Sequence, residues 1–212
     1  MQNAVWTLPV LVAALSAPSP AQVRFGLIVS GPDSAGRPEL LGEFEHETQR
    51  ILQIPELDIQ FRDESTFDTH ETFDRLVVVR LNGSCQIPPE KPILRGQALG
   101  ITHVSEGRIL PFVEVYCERV VQALGHRLDG RPPQVARGII ARALARVAAH
   151  EIYHVLTNRA DHPRIGLAKE ALNPNDLFGY EIGFSPETLA AIRSSLGGPA
   201  RTSAFTAAVR MR

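Results

Sequence analysis

The residues best equipped for chemistry lie between His150 and Lys169. They read His150-Glu151-Ile152-Tyr153-His154, then seven residues, then His162, then Gly166-Leu167-Ala168-Lys169. His150 and His154 are four apart, so on an α-helix their imidazoles stack on one face and both can reach a single metal ion. Glu151 then projects beside that ion, where a carboxylate can hold and deprotonate a metal-bound water. His162 falls just past the expected helix end, where the chain can turn back and offer a third nitrogen. Three protein ligands and a water describe a catalytic zinc (Zn2+) site, whereas a structural site fills all four positions with side chains. His162 has competitors for the third place. Asp161 is adjacent to it, and Glu170 or Glu181 would serve if the third ligand were a glutamate from a later helix.

A helix must carry the first two histidines. Residues 134–157 are rich in alanine and arginine and free of proline, which favours helix. Ala143, Val147, His150 and His154 share one stripe of it, while Arg137, Arg142 and Arg146 read as outward-facing or rim charges. Asn158 suits a left-handed residue ending the helix. Upstream, Val23–Ser30 reads as a strand, 40–52 as an amphipathic helix and 57–62 as a half-buried strand. Residues 76–81, 98–105 and 109–116 follow as strands and Cys117–Leu124 as a helix. Ser185 caps a last helix over 185–196, with Pro186 at its first position. The order predicts an α+β fold, a twisted mixed sheet packed on the metal-carrying helix, with a C-terminal helix.

With 212 residues, 44% hydrophobic and 21% charged, the chain has the composition of a soluble globular protein. A formal net charge of −1 argues against a dedicated binder of nucleic acid or anionic membrane, which carries a basic excess. The first residues differ in kind. Residues 4–17 are almost wholly apolar and lead to Pro18-Ser19-Pro20-Ala21, the shape of a secretory leader, although no Lys or Arg follows Met1. The expected organisation is a signal peptide over 1–21, one domain over 22–196 and a disordered tail over 197–212. The expected location is secreted or periplasmic. Two cysteines, Cys85 and Cys117, admit one internal disulfide, which would staple two neighbouring strands if each follows a strand end.

The zinc region resembles the metzincin side of the zincins, and most of all a group of small secreted bacterial proteins. Their motif is H-E-x-x-H, seven residues, H, and then a short stretch to Gly-Ile/Val-Met/Ala. The matching positions here are His150, Glu151, His154, His162 and Gly166-Leu167-Ala168. The resemblance is specific over about 25 residues of the motif. It implies a zincin-like fold, zinc on His150, His154 and His162, Glu151 as general base, and peptide-bond hydrolysis. Metzincins proper place five residues and a turning glycine between the last two ligands. Here Thr157 holds the glycine position. The only methionines are Met1 and Met211, so Ala168 would floor the site in place of a Met-turn.

Tyr180 is a candidate donor to the developing oxyanion, while Tyr153 reads as a packing residue on the helix flank. His46, His70, His103 and His126 have no partners at ligand spacing. An extended substrate could pair with an exposed sheet edge, either 98–105 or 109–116. The expectation is a secreted zinc metallopeptidase acting on peptides or proteins, with no nucleic-acid partner and no stable membrane insertion. The alternative is a weak or inactive zincin-like module that binds zinc and acts through interactions. Glu151 argues against the alternative, because a binding-only site has no need of a base.

Overall fold

The computed structural model describes residues 22–31, 37–87, 97–180 and 182–197. The expected leader over 1–21, the tail from 198 and Glu181 lie outside the described residues. The elements run β1 (Val23–Ser30), α1 (Arg37–Ile51), β2 (Leu57–Asp63), β3 (Arg75–Asn82), β4 (Gly100–Ser105) and β5 (Arg108–Tyr116). They continue as α2 (Cys117–Leu124), α3 (Pro133–Thr157), α4 (Pro174–Phe178) and α5 (Pro186–Leu196).

The strands form one mixed sheet in the order β2-β1-β3-β5-β4. β1 runs parallel to β2 and β3, and β3 parallel to β5. β4 runs antiparallel to β5 and lies at the edge. Of the two candidate edges, 109–116 is therefore corrected. β5 is paired on both sides, with Val78 opposite Phe112 and Thr102 opposite Val113. Local alternation marks a strand but not its place in a sheet.

Period-two alternation sends Phe25, Leu27, Val29, Val77, Val79, Val113 and Val115 into one core with α1 and α3. On α3 the small residues Ala141, Ala143, Ala145, Ala148 and Ala149 are fully buried. Residues from Ala143 to His154 are buried without a break, so this part of the helix is enclosed on most of its circumference. It stops at Asn158, whose φ of 53° and ψ of 41° are left-handed. Arg146 corrects the reading of that residue as a rim charge, since it is 1% exposed. Glu47 of α1, 3% exposed, supplies the carboxylate that makes its burial tolerable.

Cys85, just after β3, is bridged to Cys117 at the start of α2. Because β3 and β5 are neighbours, the disulfide ties adjacent strand ends together. α4 was not anticipated from the sequence. Its signal is Asn173-Pro174 with Asp176 in a capping box: Asn173 Oδ1 accepts from the Asn175 amide at 2.8 Å, and Asp176 Oδ2 accepts from the Asn173 amide at 2.7 Å. Among the described residues no helix is long and apolar enough to cross a membrane.

Candidate metal centre

α3 presents His150 and His154 side by side, 8% and 7% exposed, and His162 reaches them from the following loop. One nitrogen from each of the three rings lies within 4.8 Å of the others. His154 Nε2 and His162 Nε2 stand 3.1 Å apart. Two imidazoles on a tetrahedral zinc have nitrogens about 3.3 Å apart, so this pair is already at ligand spacing.

The loop that returns His162 is built from local contacts. After the left-handed Asn158, the carbonyl of Arg159 accepts from His154 Nδ1 at 2.7 Å. The Tyr153 hydroxyl donates to the Asp161 carbonyl at 3.3 Å. Tyr153 is 2% exposed and packs its ring against Phe184, so it is a packing residue that also ties down the loop. Thr157, where a metzincin has glycine, stays helical and donates its hydroxyl to the Tyr153 carbonyl at 2.7 Å.

The tautomers follow from the acceptors. His150 Nδ1 meets the Leu167 carbonyl at 3.0 Å. A carbonyl can only accept, so Nδ1 of both His150 and His154 carries the hydrogen, and both Nε2 lone pairs are free to bind a metal. Burial pulls His150 down to about 4. Burial, and then the charge of a protonated His154, lowers His162 as well. His150 is therefore neutral near pH 7, the form that ligates metal.

Leu167 belongs to a tightly held turn. Its amide donates to the Gly183 carbonyl at 2.9 Å, and Leu167 and Ala168 are fully buried. Gly166 has φ of 79°, and a Cβ there would lie 2.8 Å from the Ser185 nitrogen. Only glycine suits that position without strain.

Glu151, 8% exposed, faces the edge strand. Burial raises its pKa, and the Thr102 hydroxyl, 2.7 Å from Oε2, opposes the rise. Gly100 of β4 makes room for it: a Cβ at Gly100 would lie 3.1 Å from Glu151 Cγ and 2.8 Å from Val147 Cγ1.

The other candidates fall elsewhere. Asp161 is exposed and paired with Arg159 at 2.6 Å. Glu170 is exposed and outside the group of three nitrogens, and Tyr180 is 85% exposed. His103 pairs with Glu114 at 2.9 Å on the sheet, and His46, His70 and His126 are exposed. Thr102 and the two accepting carbonyls were not readable from sequence. Gly100 left a trace, as a glycine at a strand position often marks a close approach.

The donor set fits a zinc ion. It comprises three imidazoles, two of them locked in the ligating tautomer, and the neighbouring residue Glu151 carries a carboxylate that is hydrogen-bonded to Thr102. Neither a family model nor a curated protein sequence matches the chain. Among solved structures the chain is similar to archaemetzincin (amzA) from Methanopyrus kandleri, at a TM-score of 0.46 and 11% identity, over 85% of this chain and 99% of that one.

Proposed function

We propose that the chain is a zinc-dependent peptide hydrolase of zincin type, with His150, His154 and His162 as ligands and Glu151 as general base. The observation that carries this reading is the convergence of three imidazole nitrogens next to a buried carboxylate. Bound zinc would supply Lewis acidity, polarising the scissile carbonyl and acidifying water. Glu151 takes the proton of the attacking water, whose oxygen adds to the scissile carbonyl carbon. Glu151 then passes that proton to the amine nitrogen as the C–N bond breaks. Burial raises its pKa above that of an ordinary carboxylate, which makes it a stronger proton acceptor in the first half of that cycle.

The substrate lies along β4. That strand pairs with β5 on one side, and among the described residues no strand pairs with its other backbone edge, where an extended peptide could add. Thr102 and Gly100 project from β4 toward Glu151, so a peptide added to the edge brings its backbone beside the base. The buried disulfide supports an oxidising compartment, secreted or periplasmic.

The test is the metal content of the purified protein beside Glu151→Gln and His162→Ala, each assayed on a mixed peptide library. One zinc per chain is expected, with cleavage abolished in Glu151→Gln and zinc binding weakened in His162→Ala. Zinc with no cleavage by the wild type would favour the binding module. No zinc at all would sink both readings.

A further inference from the structure

Arg146 lies four residues before His150, one turn down the same helix face. Its Nε donates to Glu47 Oε1 at 2.8 Å, and its Nη1 donates to the carbonyls of Asp176 at 3.0 Å and Leu177 at 2.8 Å. Those carbonyls belong to the last turn of the short α4, where a helix runs out of intrahelical donors. Glu47 is held again by Arg50, whose Nε and Nη2 donate to its two oxygens at 2.7 and 2.9 Å. The same Nη2 reaches the Ile182 carbonyl at 2.8 Å. The next residue, Gly183, accepts from the Leu167 amide, and the Leu167 carbonyl accepts the hydrogen of His150 Nδ1.

We propose that Glu47, Arg50 and Arg146 act as a positioning clamp that aims His150, by fixing the chain between residues 166 and 183 against α1 and α3. Its role in metal binding rests on the zinc-site reading above. Two physical points favour positioning over plain stabilisation. A buried ion pair contributes little compared with well-packed apolar side chains. A guanidinium, by contrast, offers a rigid planar fork of donors, which fixes direction as well as distance. Two carbonyls at the end of α4 and one beyond it are gripped in this way, and the residue after the last of them holds the turn that orients a ligand.

The experiment reads the ring nitrogens of His150 by long-range proton–nitrogen NMR in the metal-free protein, and zinc affinity by chelator competition. It compares wild type with Arg50→Ala, Glu47→Gln and Arg62→Ala. Arg62, on the far edge strand β2, pairs with Glu71 of the following loop and serves as a control for general destabilisation. Wild type and Arg62→Ala are expected to show a single Nδ1–H tautomer. Arg50→Ala and Glu47→Gln are expected to show mixed tautomers and to bind zinc about tenfold more weakly, the lower end for groups that orient a ligand. A single Nδ1–H tautomer retained in both clamp variants would overturn the proposal, as would an equal disturbance in Arg62→Ala. If wild type binds no zinc, the metal reading fails, and the tautomers still decide the clamp.

Discussion

Thr102 on the edge strand lies 2.7 Å from Glu151 Oε2 through its hydroxyl, with the Glu151 backbone carbonyl 3.1 Å away as a second acceptor. One side chain thus links the strand where a peptide would dock to the carboxylate that would take a proton. The bond favours the ionised carboxylate, against a burial that disfavours it.

Thr102→Val keeps the shape and removes the hydroxyl. The carboxylate then loses a stabilising donor and its pKa rises further, so the acid limb of the kcat/KM profile is expected to move to higher pH. A hydrogen bond to a charged group is worth about 1.5–3 kcal/mol, which sets the expected loss at about ten- to hundredfold below the limb. Thr102→Ser should restore most of it. Zinc content should stay at the wild-type level throughout, and an unmoved pH profile in Thr102→Val would count against the role.

Gly100→Ala tests the same junction by volume. The added methyl would crowd Val147, the Glu151 stem and the Glu114 carbonyl, the last of which is backbone and cannot step aside. Overpacking of this kind costs about 1–3 kcal/mol, to be measured by urea unfolding. Activity should fall by more than that loss explains, because Glu151 is among the groups displaced. Activity per folded molecule equal to wild type would show that Glu151 tolerates the shift.

Much of the fold was readable because its signals are local. A largely apolar run closed by a turn cluster marked Val23–Ser30, helical composition marked α3, and Asn158 announced the end of that helix through its ease in the left-handed region. The pairing of His150 with His154 is a matter of helical spacing alone. What stayed hidden depends on partners far along the chain. Arg146 looks like one more arginine on an alanine-rich helix, and its burial is decided by Glu47, 99 residues earlier. Thr102 meets Glu151 across 49 residues, and nothing about a threonine in a strand singles it out. The choice of edge strand is likewise a property of the whole sheet.

Acid should unfold the protein partly through Glu47. Burial pushes this carboxyl up, but hydrogen bonds from Arg50 and Arg146 and then their charges pull it further down, to a net value below the ordinary 4.5. The folded value is lower than the unfolded one, so the stabilisation is fully present above that ordinary value. It is lost as pH falls through the folded value. Thermal unfolding followed from about pH 6 to about pH 3 should show a steeper decline for wild type than for Glu47→Gln. Parallel curves would mean that Glu47 is not a source of the acid sensitivity.

Gly166→Ala should separate the turn from the ligands it supports. The residue has φ of 79°, and an added Cβ would press on the Ser185 nitrogen at 2.8 Å and the Gly183 carbonyl at 3.1 Å. Backbone strain of this type costs about 1–3 kcal/mol. The chain relieves it by moving the turn, and the Leu167 carbonyl that orients His150 moves with it. The expected result is a lower melting temperature together with zinc affinity reduced about tenfold or more, since His150 loses its fixed orientation. Gly107→Ala is the matched control: Gly107 also has positive φ, at 72°, but sits in the β4–β5 turn with open space around it. That variant should lower stability through strain alone and leave zinc affinity untouched, and equal losses of affinity in the two would refute a specific link between Gly166 and the metal centre.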